Sequence, residues 1–179
     1  MADSEFDSIL IACGKNDRRA QKVLYQRYYS YGMSVCSRYV TNKEDATSIL
    51  NEGFLKVFKN IKKFDAQYDF KPWLKTIMVN TAINHVKKMK KYNVEIGLDQ
   101  AQAIPTSSDI LSRLNYEELV NMIQSLSLAY RTVFNMYVID GFKHDEIATK
   151  LGITASTSKS NLTRAKAKLR EMIQHKLTA

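Results

Sequence analysis

The stretch His144-Asp145-Glu146-Ile147-Ala148-Thr149-Lys150-Leu151-Gly152-Ile153-Thr154, followed by Ala155 to Leu169, constrains the fold more than any other part of the chain. Ile147 and Leu151 lie four apart, on one face of a helix. Ala148 is small where a partner helix must come close. Gly152 follows the last periodic residue, where a helix commonly ends in a left-handed backbone. Thr154 can cap the next helix through its hydroxyl, and Leu162, Ala165 and Leu169 then form that helix's inner stripe. The spacing predicts a helix-turn-helix whose second helix carries Lys159, Arg164, Lys166 and Lys168. A helix basic on one side suits a DNA groove, and spacing alone also allows an ordinary helical hairpin with a solvated basic face.

Charge narrows the choice. The 179 residues carry 27 Lys plus Arg against 18 Asp plus Glu, a net of +9, which favours a polyanionic partner. Lys56 to Lys91 holds ten basic residues and two acidic, and Lys159 to Lys176 six basic and one acidic. Between them, Glu95 to Glu146 has eight acidic residues against three basic. Two basic blocks separated by an acidic one suggest two contacts with one polymer.

Only six Gly and two Pro occur, and no alternating β-branched run stands out, so the chain reads as all-α. The periodicity predicts helices over Phe6 to Cys13 and Arg18 to Val40, the second with Ala20, Val23, Leu24, Tyr28, Tyr31, Val35 and Tyr39 along one stripe. Asn42 to Asp45 opens a third, lined by Ala46, Ile49, Leu50, Phe54, Val57, Phe58 and Ile61. A polar and aromatic loop, Phe64 to Phe70, precedes a fourth helix with Pro72 in its first turn and Trp73, Ile77 and Ala82 inward. Periodicity fades from about Tyr92, with Gly97, Pro105 and Thr106-Ser107-Ser108 marking a linker over 93–109. Helices resume over Ile110 to Ser125 and Ala129 to Ile139. Two small helical domains, 1–92 and 110–179, are expected.

These residues carry a family resemblance. Asp45-Ala46, Ile49-Leu50-Asn51-Glu52, Phe54-Leu55-Lys56-Val57-Phe58, Trp73-Leu74-Lys75, Ile77 and Val79-Asn80 resemble the first conserved domain of bacterial RNA polymerase sigma factors, the small extracytoplasmic-function (ECF) group in particular. Tyr130-Arg131, Val133-Phe134, Asp140-Gly141-Phe142, Ile147-Ala148, Leu151-Gly152-Ile153, Lys159-Ser160, Arg164-Ala165 and Leu169 resemble the second. The resemblance implies a region 2-like domain that docks on core polymerase and opens promoter DNA at the −10 element. A region 4-like helix-turn-helix then reads the −35 element. It implies a chain with no catalytic centre of its own, since polymerase does the chemistry, and allows for an anti-sigma factor as a further partner.

The resemblance assigns polymerase docking to Asp45, Ser48, Asn51, Glu52, Leu55 and Lys59, on or near the face away from the apolar stripe. Relatives usually carry an acid at position 48 and Gln at position 51, so Ser48 and Asn51 are departures. Opening a duplex requires aromatic platforms beside positive charge, and Phe64, Tyr68, Phe70 and Trp73 beside Lys62, Lys63, Lys71 and Lys75 offer that mixture, with Tyr68, in a polar loop, the better platform. By resemblance the −10 set includes Phe64, Asp65, Tyr68, Lys71, Lys75, Asn80 and Asn84, with Lys87 and Lys88 on phosphates. Trp73, at helical spacing with Ile77, reads as core. The −35 set is Lys159, Ser160, Thr163 and Arg164 on base edges, with Lys166 and Lys168 on phosphates. Lys143 stands where relatives often place a capping Ser, so the adjoining helix is expected to fray. Ser158 stands where many helix-turn-helix cores have Val.

Other chemistry finds no support. His85, His144 and His175 are scattered, Cys13 and Cys36 lack metal-ligand spacing, and there is no phosphate-binding glycine loop or nucleophile elbow. The expectation is a non-enzyme with no metal, cofactor or small-molecule substrate. No apolar run approaches the ~18 residues of a membrane span. The acidic opening Met1 to Asp7 lacks the order of a signal peptide. A cytoplasmic protein is expected, with no membrane among its partners. A stand-alone helix-turn-helix regulator explains the C-terminal motif but leaves the loop aromatics without a role, and a helical adaptor predicts no DNA binding at all.

Overall fold

A computed structural model describes residues 4–96 and 116–178. Among these residues there is no β-strand, and the elements are helices α1 (Ser4–Gly14), α2 (Arg18–Cys36), α3 (Lys43–Asn60), α4 (Phe70–Ile96), α5 (Tyr116–Ser125), α6 (Leu128–Phe134), α7 (His144–Leu151) and α8 (Ala155–Thr178). A 3₁₀ turn, Ile61–Lys63, follows α3, and a π turn, Asn135–Ile139, follows α6. Two compact units divide the chain, one within Met1–Ser37 and Asn42–Ala82, the other within Arg38–Thr41 and Ile83–Ala179.

In the first unit the helix starts are written in side chains. Asp17 accepts from the Arg19 and Ala20 N–H groups at 2.8 and 2.9 Å, and Asn42 accepts from the Asp45 N–H at 2.7 Å. From α3 come the fully buried Ala46, Ile49, Leu50 and Val57, with Phe54 beside them. The α2 stripe buries Leu24, Tyr28 and Val35, whereas Val23 is 45 % exposed. That helix ends at Cys36 rather than Val40, and the buried Tyr39 and Val40, past its end, belong to the second unit.

The inward face of α4 matches the expected one at Ala82 and differs from it in the first two turns. Leu74, Met78, Val79 and Ala82 are buried, while Trp73 and Ile77 are only half-buried. There the stripe is rotated by one residue because Met78 must face Gly53. A Cβ at Gly53 would lie 2.3 Å from Met78 Sδ, and one at Gly32 would lie 2.4 Å from Leu50 Cδ1. Neither glycine has a positive φ. Both are present because neighbouring side chains occupy the space. Trp73 instead joins a ring cluster, 5.2 Å from Phe64 and 5.6 Å from Phe70 between centroids. Phe70 contacts Phe6 and Tyr28 in turn, at 5.5 and 4.9 Å. Such pairs add stabilisation beyond their area burial.

In the second unit α8 packs on α5, α6 and α7. Gly152 closes α7 at φ +65°, ψ +41°, the left-handed end that the sequence predicts. Thr154 accepts from the Thr157 N–H at 3.0 Å, capping α8. The fraying expected at Lys143 is offset from the other side, since its backbone N–H donates to Glu146 Oε2 at 2.7 Å. Arg131, 5 % exposed, closes the C-terminal end of α5, with Nη1 donating to the Gln124 carbonyl at 2.7 Å. Burial pushes its pKa down to about 10, which leaves it cationic at neutral pH. The expected linker overlaps α4 as far as Ile96, and the rest of it, 97–109, lies outside the described residues, as does the 110–115 part of the fifth expected helix.

Candidate functional site

On α3 the expected docking residues fall on the solvent side. Ser48, Asn51, Leu55 and Lys59 are exposed, Leu55 at 63 %, and Asp45 and Glu52 are half-exposed. A three-to-four-residue spacing keeps them off the Ile49–Leu50–Phe54 stripe. Several are pre-oriented by partners, some within a turn along the chain and some on other helices. Asn42 Nδ2 donates to Asp45 Oδ2 at 2.8 Å. The Tyr25 hydroxyl, from α2, donates to Asn51 Oδ1 at 2.9 Å. Lys56 Nζ lies 2.8 Å from Glu52 Oε1 and donates to the Thr81 hydroxyl on α4 at 3.1 Å. Thr81 is itself buried and donates to the Ile77 carbonyl at 2.8 Å.

The loop between the 3₁₀ turn and α4 is held by its own turn bonds. The Gln67 N–H donates to Asp65 Oδ1 at 3.0 Å, and the Tyr68 N–H to the Asp65 carbonyl at 3.1 Å. Asp65 is thus a turn-former, with its side chain exposed. Tyr68 is carried outward at 72 % exposure, whereas Phe64 is half-buried in the ring cluster. An open concavity of about 840 Å³ is lined by Phe64 and the loop from Ala66 to Asp69, by Phe70 to Pro72 of α4, by Phe6, Asp7 and Leu10 of α1, and by Tyr28 of α2. The α1 and α2 contributions were not among the expected site residues, because long-range packing leaves no local signal.

Lys71 is exposed, with Nζ 5.8 Å from the Tyr31 ring centroid. Lys75 and Asn80 are half-exposed and make contacts within the fold. Further along α4, Asn84, Lys87 and Lys88 are exposed.

The α8 set shows the cleanest division. Lys159, Ser160, Thr163, Arg164, Lys166 and Lys168 are all exposed, while Ser158, Leu162 and Ala165 between them are buried. The Thr163 hydroxyl donates to the Lys159 carbonyl at 3.1 Å, so it is partly committed to its own helix. Arg164 Nη1 lies 3.4 Å from the Tyr130 hydroxyl. His144 is not the isolated ring its sequence position suggests. It hydrogen-bonds the buried Ser158 and stacks on Tyr137, centroids 4.4 Å apart. Among the described residues no group of three or more His, Cys, Asp or Glu could hold a metal, and no helix is long and apolar enough to cross a membrane.

A family model for sigma-70 region 2 matches residues 24–92 and one for sigma-70 region 4 matches residues 116–169. The ECF RNA polymerase sigma-E factor of Haemophilus influenzae is 24 % identical over 190 residues, covering 99 % of this chain and 98 % of that protein. That of Escherichia coli K12 is 26 % identical over 187 residues, covering 97 % of each. The sigma factor RpoE of Bartonella quintana, solved with the anti-sigma factor NepR, shares the fold at a TM-score of 0.51 and 18 % identity, over 86 % of this chain and 96 % of that one. With regions 2 and 4 matched in order and relatives aligned along nearly their whole length, the chain belongs to the ECF group of sigma-70-type RNA polymerase sigma factors.

Proposed function

We propose a division of labour among the exposed surfaces of this sigma factor. The α3 face of Asp45, Ser48, Asn51, Glu52, Leu55 and Lys59 docks on core RNA polymerase. Tyr68 and the concavity beneath it receive an unstacked base of the −10 element, since a solvent-borne aromatic ring offers a stacking surface that any base can use. Lys71, Lys75, Asn80, Asn84, Lys87 and Lys88 provide polar and cationic contacts along that strand. The exposed row on α8 enters the major groove at the −35 element, with Arg164 the candidate for a bidentate guanine contact.

The observation that carries the reading is the α8 pattern, in which six polar or basic side chains face solvent around a buried Ser158–Leu162–Ala165 stripe. The protein binds and positions, and polymerase supplies the chemistry. It works in the cytoplasm. An anti-sigma factor, of the kind that accompanies the Bartonella protein in its solved structure, fits as a regulatory partner.

In vitro transcription with core polymerase and a promoter library tests the whole reading. Promoter-specific transcripts that require this chain are expected. Tight binding to duplex promoter without polymerase, with no gain on adding it, would instead identify a stand-alone regulator.

A further inference from the structure

Resting on the reading of α3 as the polymerase-facing helix, we propose that Tyr25 of α2 is a positioning residue for docking. Its hydroxyl holds the Asn51 carboxamide in one orientation, leaving the amide N–H groups to meet an oxygen acceptor, a backbone carbonyl or a carboxylate, on core polymerase.

Three observations converge on the pair. The hydroxyl donates to Asn51 Oδ1 at 2.9 Å, joining residues twenty-six apart in sequence. The Tyr25 ring is anchored to the core, 4.7 Å from the Phe54 ring and 5.7 Å from that of Tyr29, while Phe54 is 2 % exposed. Asn51, in contrast, is an exposed residue on the solvent side of α3. A side chain ordered only on binding charges that ordering to the complex, whereas one already held does not.

The chemistry of the amide then defines what it meets. An asparagine has one carbonyl oxygen and two N–H donors. With the oxygen accepting from Tyr25, the group turned to a partner is a donor. Desolvation, and then the neighbouring Tyr29, raise the Tyr25 phenol above its ordinary value of 10.0, so the hydroxyl keeps its proton and the direction of the bond at neutral pH.

The test measures affinity of the full-length chain for core polymerase in four forms: wild type, Tyr25→Phe, Asn51→Ala and the double variant. Tyr25→Phe removes one oxygen and keeps the ring. It should weaken binding about two- to tenfold with an unchanged unfolding midpoint. In the Asn51→Ala background the same substitution should have no further effect. Wild-type affinity of Tyr25→Phe overturns the proposal. So do losses that multiply independently in the double variant, with or without a lowered midpoint, because the hydroxyl then acts apart from Asn51. Glu52→Arg separates this from the reading beneath it. If Glu52→Arg abolishes binding while Tyr25→Phe is silent, only the positioning role falls. If Glu52→Arg binds like wild type, the α3 dock falls and this proposal with it.

Discussion

His144 Nδ1 lies 2.9 Å from the hydroxyl of Ser158, joining the first turn of α7 to a fully buried position on α8. The bond spans the turn of the helix-turn-helix, and Tyr137 covers the imidazole from the other side at a 22° interplanar angle. A buried hydroxyl left without a partner costs roughly 1–3 kcal/mol. His144→Ala should therefore destabilise the chain by about that amount, measured by urea unfolding. Ser158→Ala should cost less, because the half-exposed imidazole can turn to water. The double variant should cost clearly less than the sum, as expected of a directly coupled pair.

Gly53 yields a prediction whose sign depends on its neighbour. In an exposed helix Gly→Ala gains about 1 kcal/mol. At Gly53 the new Cβ would meet Met78 Sδ at 2.3 Å, and Met78 is fully buried. Overpacking of this kind costs roughly 1–3 kcal/mol, so Gly53→Ala should be destabilising overall. In a Met78→Ala background the same substitution should become stabilising. Thermal unfolding of the four chains checks the reversal.

Tyr68 has little to do with folding at 72 % exposure, so Tyr68→Ala should leave the unfolding midpoint unchanged. Stacking on an aromatic ring contributes roughly 1–3 kcal/mol per base. Open-complex formation, followed with a fluorescent base analogue in the −10 element, should fall by about five- to a hundredfold. Unimpaired melting would remove Tyr68 from the strand-opening surface.

Arg164 and Lys168 are both exposed on α8 but should fail differently. Arg164→Ala should cost about 1–3 kcal/mol on the preferred −35 sequence and relax discrimination at one base position. Lys168→Ala should weaken binding to every sequence alike and lower the salt slope by about one. Holoenzyme binding to a substituted −35 series at several salt concentrations separates the two.

Alkali should destabilise the first unit. Burial, then the charge of Asp17, raises the Cys13 thiol above its ordinary 9.0, and burial raises the Tyr28 hydroxyl above 10.0. Both groups hold their protons more tightly when folded. Their contribution is complete below the unfolded values and is lost as pH climbs through the raised folded ones. Stability by urea unfolding should therefore be level through neutral pH and fall from about pH 9 upward. Cys13 should also react with iodoacetamide far more slowly in the native chain than in urea.

Local chemistry was legible wherever one residue and its near neighbours settle the matter. Gly152 past Leu151 and Thr154 before Ala155 fixed the turn, because a left-handed stop and a hydroxyl cap act within a few residues. The α3 stripe was legible because 3.6-residue periodicity is a property of the helix itself. The α4 stripe was legible only in part: Ala82 is buried as its spacing predicts, but Leu74 and Met78 are buried in place of Trp73 and Ile77. Trp73 and Ile77 are equally periodic with Leu74 and Met78, and only contact with Gly53 selects between the two faces.

The sequence by itself determined an all-helical chain, the position of the helix-turn-helix and the split of positive charge into two blocks, since composition, capping and periodicity are local properties. Tertiary structure alone decided that Tyr25 reaches Asn51, that Lys56 reaches Thr81, and that His144 meets Ser158. Each pairing joins side chains from different helices. Which helix faces meet follows from the volumes filling the core, and no spacing along the chain encodes that.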